Sequence, residues 1–383
     1  MKKPYSLPNV TIGILGGGQL ARMTIEATNR LNFKVAIAET HEDSPAGQIA
    51  AFEIIGDWND PAVLESLTKT CDVITLENEF VDSDILHWLE AQGLPVYPSA
   101  LTLRLVQDKA LQKQTLRASG LPVPAFAKIE TAADIEDFAR QYGWPLILKS
   151  RRNGYDGKGN WKLDGPADII VGMEKLGREG LMVEAFINYQ KELAIMVVRR
   201  PGGETALYPL VETVQRDHIC HTVTAPAQVP LSAADKATEI ARKAIEAIQG
   251  VGVFGVEMFL TDEGEVLINE LAPRPHNSGH YTIEACASSQ FDNLIRAILD
   301  LPLGSTSLIA PAAMVNLLGE TSRTEGPDGL ADALAVPGAH VHFYGKAASR
   351  PGRKMGHVTA LAPGGSPADA LKLAQEAAAK LIF

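Results

Sequence analysis

The segment from Val253 to Glu270 constrains this chain more than any other. Val253-Phe254-Gly255-Val256-Glu257-Met258-Phe259-Leu260 has the β-branched and aromatic content of a strand, and Val266-Leu267-Ile268-Asn269-Glu270 reads as a second one. Thr261-Asp262-Glu263-Gly264-Glu265 between them reads as a turn. A hairpin folded symmetrically about Glu263-Gly264 sets position i opposite 527 − i, which puts Glu257 across from Glu270. Opposed residues of an antiparallel pair hold their Cβ atoms about 4.5–5.5 Å apart. Two carboxylates that close, among Val, Ile, Leu and Phe, repel each other and lose hydration. Hard cations such as Mg²⁺ take oxygen ligands, often one or two carboxylates plus substrate phosphates. The pair therefore reads as a metal clamp for a nucleotide. A pair of solvated acids on an exposed sheet face is the competing reading. The run Asn269-Glu270-Leu271-Ala272-Pro273-Arg274-Pro275-His276-Asn277-Ser278-Gly279-His280 argues against it, because it sets donors for anions between residues that restrict the backbone.

At 383 residues the chain has room for two or three domains, and 46% apolar residues are ample for their cores. A net charge of −11 disfavours a nucleic-acid backbone or an anionic membrane as the main partner. Small anionic substrates stay open, since they need only a local basic pocket. Cys71, Cys220 and Cys286 are odd in number and far apart, which fits neither a disulfide framework nor a zinc pattern. A reduced, cytoplasmic compartment is the expectation. Met1-Lys2-Lys3-Pro4-Tyr5 leads into a strand and not into an apolar signal segment. No apolar run approaches the roughly 18 residues of a membrane helix.

Residues 10–15 read as a buried strand, Gly16-Gly17-Gly18 turns the chain, and Gln19 to Leu31 reads as a helix. Lys34 to Glu39 and Val73 to Leu76 read as further strands, the last ending at Glu77-Asn78-Glu79-Phe80. This alternation predicts a parallel sheet covered on both faces, complete near Ser99. Leu101 to Ser119 reads as one helix, broken by Gly120-Leu121-Pro122-Val123-Pro124. A helix near Ala132–Tyr142, a strand at 146–149 and a Gly-rich loop make a smaller unit. Antiparallel strands, a helix at Ala233–Gln249, the acid hairpin and a helix near Phe291–Leu299 follow. The tail reads as strands at 312–317, 341–344 and 357–361, a basic turn and a helix at 367–382. The expected fold class is α/β and α+β. A doubly wound parallel sheet occupies residues 1–100, and a linker helix with a lid subdomain 101–185. A larger antiparallel domain, 186–383, includes a small C-terminal sheet from about 312.

Two glycine loops carry further information. Gly16-Gly17-Gly18-Gln19-Leu20-Ala21 satisfies G-x-G-x-x-[GA] between a strand and a helix, with Glu39 ending the next strand. A nicotinamide-dependent oxidoreductase is therefore a serious alternative. Glycines and a helix N-terminus bind some anion without naming it, and a tight turn with no ligand is the plainer reading. An NAD enzyme would also leave the acid pair and the second loop without a role. That loop is Lys149-Ser150-Arg151-Arg152-Asn153-Gly154-Tyr155-Asp156-Gly157-Lys158-Gly159-Asn160. Its glycines let backbone N–H groups approach phosphate oxygens, with Lys149, Arg151, Arg152 and Lys158 around them. It is no Walker A loop, since G-x-x-x-x-G-K-[ST] does not occur. A Gly-rich hairpin beside a strand lysine instead matches kinase-like nucleotide lids, with a mobile surface hairpin as the alternative. Met182-Val183-Glu184-Ala185-Phe186-Ile187 could offer backbone groups to an adenine edge and Glu192 could accept ribose hydroxyls, though an ordinary core strand accounts for them equally well.

In this order the elements resemble the ATP-grasp superfamily over nearly the whole chain. More narrowly the chain resembles the N5-carboxyaminoimidazole ribonucleotide synthetase family of purine biosynthesis. The resemblance rests on Gly16 to Met23, Gln107-Asp108-Lys109, Gly154 to Gly159, Asn269 to His280, and Tyr344-Gly345-Lys346 with Gly352-Arg353-Lys354-Met355-Gly356-His357. It implies an ATP-grasp architecture of three domains and an ATP-dependent carbon–nitrogen ligase. The reaction would carboxylate the exocyclic amine of 5-aminoimidazole ribonucleotide with ATP and bicarbonate, through carboxyphosphate. ATP would lie between the lid and the C-terminal domain. Lys109 and Lys149 would hold its phosphates, and Gly154, Tyr155, Asp156, Gly157, Lys158 and Gly159 would close over them. Glu184, Ala185, Phe186 and Ile187 would line the adenine, and Glu192 would hold the ribose. Glu257 and Glu270 would bind Mg²⁺, two ions in all, with Asn269 beside them.

The same resemblance implies that the ribonucleotide sits against Gly18, Gln19 and Leu20, with Glu77 near its base. Asp156, Lys158, Arg274, His276, Asn277 and Ser278 would contact substrate or intermediate, and Lys346 and Arg353 the ribonucleotide phosphate. Catalysis would fall to Glu257, Glu270, Arg274, Lys158 and Asp156. Ala21 stands where the family motif has glycine, and Gln215 where a histidine is expected near the nucleotide. The implied partners are small molecules and a second copy in a homodimer, with hand-off of the product to a downstream mutase. Another ATP-grasp purine ligase, such as a formate-using transformylase, and a non-catalytic nucleotide-binding regulator are the remaining alternatives.

Overall fold

The computed structural model describes residues 7–154, 159–216 and 218–383. Strands β1 (Thr11–Leu15), β2 (Lys34–Glu39), β3 (Phe52–Ile55) and β4 (Val73–Leu76) form a parallel sheet in the order β3-β2-β1-β4. Its inner strands are continuous apolar runs because both faces are covered. Helix α1 (Gln19–Asn29) packs Ala21 and Ile25 on one face, while α2 (Pro61–Thr70) and α3 (Ser83–Ala91) cover the other. The sequence reading missed β3, a short and mostly exposed edge strand with no apolar alternation to betray it. Strands β2 and β3 lie to one side of β1 and β4 to the other. That reversal opens a crevice outside the carboxyl ends of β1 and β4.

The single helix expected over 101–119 is two helices, α4 (Ala100–Gln107) and α5 (Lys109–Ala118). Asp108 between them is extended, with φ −94° and ψ 105°. Its carboxylate accepts from the N–H groups of Ala110 and Leu111 at 3.0 and 3.2 Å, so α5 starts afresh with its own cap. Arg151 also donates to Asp108, at 3.1 Å from Nε, which ties the start of α5 to the smaller unit.

That smaller unit is an antiparallel sheet, β5-β8-β6-β7, built from β5 (Phe126–Ile129), β6 (Leu146–Ser150), β7 (Asn160–Leu163) and β8 (Leu181–Ala185). Helices α6 (Ala132–Tyr142) and α7 (Ile169–Leu176) back it, α6 opening with a Thr131–Asp134 capping box. Strands β6 and β7 flank the second glycine loop, as the sequence suggested.

The rest is one antiparallel sheet of nine described strands. Strands β9 (Tyr189–Arg199), β10 (Thr205–Leu207), β11 (Val211–Arg216), β12 (Ile219–Ala225), β13 (Gly252–Thr261) and β14 (Val266–Ala272) come first. Strands β15 (Ala312–Leu318), β16 (Ala339–Phe343) and β17 (Lys354–Leu361) complete the order β14-β13-β9-β11-β12-β15-β17-β16, with β10 on β9. The sequence predicts a small C-terminal sheet from about 312 within this larger domain. Instead β15 pairs with β12 from Thr222 to Ala225, because a strand left as an unpaired edge needs a partner. Five helices complete this part: α8 (Leu231–Ala247), α9 (Thr282–Ala285), α10 (Gln290–Ile298), α11 (Leu330–Leu334) and α12 (Pro367–Ala378).

Strand β9 is buried on both faces. Leu193, Ile195 and Val197 pack with the Ala-rich face of α8, and Ala194, Met196 and Val198 with Leu294 and Ile298 of α10. The same core takes in Ile12, Ile14 and Ile25 of the parallel-sheet unit. Each such Leu or Ile buried is worth roughly 1.5–3 kcal/mol, so the two sheets are joined as parts of one core. The crevice of the parallel sheet is thereby held over the acid hairpin. Among the described residues no helix is long and apolar enough to cross a membrane.

Candidate functional site

The acid hairpin reaches its expected pairing by an unexpected route. Near the turn Leu260 pairs with Val266, Phe259 with Leu267 and Met258 with Ile268, one residue tighter than the symmetric register. The turn closes with Gly264 at φ 79° and its N–H on Thr261 O at 3.0 Å. A bulge between Met258 and Glu257 then inserts one extra residue in β14, so that Glu257 pairs with Glu270 and Val256 with Leu271. Asn269 and Glu270 thus both answer Glu257.

Burial, then the charges of Glu270 and Glu192, push Glu257 up to about 8. Burial alone would raise Glu270 too, but the charge and hydrogen bond of Lys109 outweigh it and hold that carboxylate low. Lys109, expected on a phosphate, is here paired with Glu270. His276 Nε2 lies 3.4 Å from Glu257 Oε1, and its Nδ1 lies 2.8 Å from Ser278 Oγ. Burial, then Arg274 and Lys354, depress His276 to about 3, so the ring is neutral. Asn269 Oδ1 is buried without a hydrogen-bond partner among the described residues. Two converging carboxylates and an orphaned amide oxygen are an all-oxygen donor set, which fits a hard cation.

Behind this pair lies a buried triad. Lys149 Nζ is 2.8 Å from one oxygen of Glu184 and Lys113 Nζ 3.1 Å from the other. Glu184 is 3% exposed, and its side chain holds the two lysines. Burial, then Lys149 against the pull of Glu184, brings Lys113 down to about 8. Sequence reasoning missed Lys113; its place on α5 four residues after Lys109 was the available signal.

At the crevice of the parallel sheet the glycine turn is already satisfied. Gly17 N–H donates to Glu39 Oε2 at 2.8 Å, and Gly18 N–H to Glu77 Oε1 at 2.8 Å. Ala21 N–H reaches Glu77 Oε2 at 3.3 Å. These are the donors a dinucleotide pyrophosphate would need. Any Cβ on Gly18 would collide with the Glu77 carboxylate. The fingerprint therefore serves to seat two acids of the chain itself, and the nicotinamide alternative loses its phosphate site. Burial raises the Glu77 pKa, against the hydrogen bonds from Ala21 and Gly18.

The two regions share one cleft of about 650 Å³. Its lining includes Gln19, Leu20 and Glu77 of the first unit, Lys149 and Gly154 of the second, and Lys109 of α5. From the large sheet come Gln215, Glu257, Asn269, Glu270, Arg274, His276, Asn277, Lys346 and Arg353. Gly18, Gly159, Glu184, Ala185, Phe186, Ile187, Glu192 and Ser278 stand off that wall. Ser278 is buried behind His276, and half-exposed Phe186 lies under Lys162 at 5.5 Å. Tyr155, Asp156, Gly157 and Lys158 lie outside the described residues. Burial raises the Glu192 pKa, against hydrogen bonds from Tyr189 and Gln215, so the departure at Gln215 leaves a donor beside Glu192.

Four cations of the C-terminal turn, Lys346, Arg350, Arg353 and Lys354, face Glu77 across the cleft; the sequence reading singled out only Lys346 and Arg353. Lys346 Nζ donates to Lys354 O at 2.6 Å and sits over the Tyr344 ring at 5.5 Å. Burial, then Arg353, lowers Lys346 to about 8. Arg274 is clamped by Glu79, another unread residue, with Nη2 to Oε1 at 2.9 Å. Asn277 exchanges both amide bonds with Asn316, at 2.8 and 2.7 Å. Seven Lys or Arg against four Glu line this cleft in a chain of net charge −11, which selects anionic ligands.

Three family models match the chain: a ribonucleotide synthetase preATP-grasp domain at 9–107, an ATP-grasp domain at 114–291 and a phosphoribosylaminoimidazole carboxylase C-terminal domain at 312–370. A phosphoribosylaminoimidazole carboxylase of Ogataea methanolica is 45% identical over 91% of this chain. The chain spans only 63–66% of the length of that protein and its yeast counterparts. Crystal structures of an Aspergillus clavatus carboxyaminoimidazole ribonucleotide synthase superpose with a TM-score of 0.88. One, complexed with ATP, is 41% identical and covers 96% of this chain and 97% of that one. Another holds ADP and 5-aminoimidazole ribonucleotide, at 40% identity, 96% of this chain and 98% of that one. An N5-carboxyaminoimidazole ribonucleotide synthase of Synechococcus elongatus is 41% identical over 95% of this chain and 92% of its own length. Matched over 95–96% of its length by such relatives, and folded as they are, the chain belongs to the N5-carboxyaminoimidazole ribonucleotide synthase family.

Proposed function

We propose that this protein is an ATP-dependent ligase that carboxylates the amine of 5-aminoimidazole ribonucleotide with bicarbonate, in purine biosynthesis. One observation carries the reading. A single cleft joins the acid pair and lysines of a triphosphate site to a second anion site, the turn at Lys346–Lys354. A one-substrate nucleotide-binding protein needs only the first. The relatives in whose crystals ATP, or ADP with the ribonucleotide, is bound support the same pairing of ligands.

A bicarbonate oxygen attacks the γ-phosphorus, the bond to the β–γ bridging oxygen breaks, and ADP leaves. Lys109 and Lys149, which line the cleft, would neutralise the transferred group, so catalysis is largely positioning and charge. Glu257, Glu270 and Asn269 Oδ1 would hold Mg²⁺, in two ions, which supplies positive charge against the triphosphate. The ribonucleotide amine then bonds to the carboxyl carbon of carboxyphosphate, the carbon–oxygen bond to phosphate breaks, and phosphate departs with the proton. Arg274, fixed by Glu79, and neutral His276 line the same cleft and would orient that carboxyl group. Lys346 and Arg353 hold the ribonucleotide phosphate.

Within this reading the protein works in the cytoplasm as a homodimer and passes its product to a mutase. The test is ADP release with bicarbonate across a panel of purine ribonucleotides. Release that needs both bicarbonate and aminoimidazole ribonucleotide is expected. Release with formate, or with a different ribonucleotide, would sink the assignment. Glu270→Gln should lower turnover by roughly 10²–10³-fold while leaving the fold intact.

A further inference from the structure

Strand β14 is the edge of the nine-stranded sheet, and its bulge leaves backbone groups with no strand to bond. Helix α5 supplies the partners. The Gln112 amide accepts from Leu271 N–H at 3.0 Å. Lys113 Nζ donates to Asn269 O at 2.9 Å and approaches Ile268 O at 3.5 Å. Its charge is balanced by Glu184, whose carboxylate oxygen lies 3.1 Å away. Lys109, Gln112 and Lys113 lie at i, i+3 and i+4, one face of the helix, and that face is laid along β14.

Lys113 is 1% exposed and does not line the cleft. A lysine is almost never so buried unless its charge is held. It touches neither subsite, yet it joins the carbonyl of the bulged residue to the carboxylate that holds Lys149. We propose that Lys113 is a positioning residue for the acid pair: by fixing the Asn269 carbonyl it holds the bulge that sets Glu270 opposite Glu257. Without it the carbonyl loses a buried partner, and the bulge is left unheld between Ile268, whose N–H donates to Pro122 O at 2.9 Å, and Leu271, which Gln112 holds. The Lys149–Glu184 pair, at 2.8 Å, survives that loss, so the grip on phosphate is retained while the clamp loosens.

The inference rests on the metal reading of the acid pair. The test compares wild type, Lys113→Met and Glu270→Gln, using Mn²⁺ as the probe ion. ADP binding in EDTA and Mn²⁺ binding to the ADP complex are measured by calorimetry. Lys113→Met is expected to bind ADP in EDTA as wild type does and to bind Mn²⁺ roughly 10–100-fold more weakly, the usual cost of losing a residue that orients a metal ligand. Wild-type Mn²⁺ affinity in Lys113→Met, with weakened binding in Glu270→Gln, overturns the inference and leaves the metal reading standing. Wild-type affinity in Glu270→Gln overturns the metal reading itself. Should Lys113→Met not fold, Lys113→Gln, whose shorter side chain stays polar and which leaves the Lys149–Glu184 pair in place, is read in the same way. Failure of both to fold makes Lys113 a core residue and overturns the proposal.

Discussion

Glu257 faces Glu270 one position further along β14 than the register at the turn would place it. The turn alone would set Asn269 opposite Glu257, and the bulge restores the acid. Asn269 is then a bystander to the sheet whose amide oxygen has no partner among the described residues. A buried polar atom left unbonded costs stability, about 1–3 kcal/mol, and is retained when something outside the protein uses it. Asn269→Ala is therefore expected to weaken Mn²⁺ binding to the ADP complex while thermal stability without metal stays level or rises. A variant that loses stability and keeps its metal affinity would show the amide to be structural.

The two acids pull pH dependence in opposite directions. The fold raises Glu257 from 4.5 to about 8, so the folded state prefers its protonated form. As pH climbs from about 4.5 the unfolded chain ionises first, and stability falls until about 8. Glu270 is held low, so its contribution is present above 4.5 and is lost as pH falls below that. In EDTA, Glu257→Gln should gain melting temperature over wild type across pH 5 to 8, with the gap flat above about 8. Scanning calorimetry at stepped pH reads this directly. A gap that does not change with pH would mean that Glu257 is ionised in the empty site.

The hairpin also shows what a sequence can and cannot say. The apolar runs, the two acids and the extension to His280 were legible because each is local. The register was inferred correctly from a symmetric turn that does not exist, since a tight turn and a bulge cancel. The pairings of Lys113 and Glu79 were invisible because their partners, Glu184 and Arg274, lie on other elements and only tertiary packing brings them together; for Lys113 the spacing from Lys109 was the one local hint. The break at Asp108 was missed because Leu, Gln and Lys on both sides suit a helix, and capping overrode their propensity. The joined C-terminal sheet went unread for a like reason, as strand pairing at long range leaves no local mark.

Glu77 sits on the N-terminus of α1 and lines the cleft at the end proposed for the ribonucleotide. Its carboxylate caps two N–H groups, and losing such a cap costs about 0.5–2 kcal/mol. Glu77→Gln keeps the size and one acceptor, so the fold should hold. The KM for the ribonucleotide should rise while that for ATP stays level, because the lysines and acid pair belong to other elements. Steady-state kinetics with each substrate varied in turn decides the point. Equal effects on both KM values would place Glu77 in the scaffold. The same variant frees an amide site at Gly18, yet Glu39 still holds Gly17, so NAD binding is not expected to appear in calorimetry.

Lys346 offers the sharpest handle on the second anion. Burial brings it down to about 8, so the ammonium is present at neutral pH and is lost as pH rises through that value. A phosphate in the cleft needs the charged form and, once bound, stabilises it. The pH dependence therefore belongs to the free enzyme and shows in kcat/KM for the ribonucleotide more than in kcat. The expected profile falls above about 8, while kcat/KM for ATP at saturating ribonucleotide does not follow it. A charge-assisted hydrogen bond is worth about 1.5–3 kcal/mol, so Lys346→Met should raise the ribonucleotide KM by roughly 10–100-fold and remove the alkaline fall. Lys346→Arg should keep the affinity and move the fall to higher pH, since guanidinium stays charged there. An unchanged alkaline limb in Lys346→Met would assign the titration to another group, and an unchanged KM would move the phosphate away from this turn.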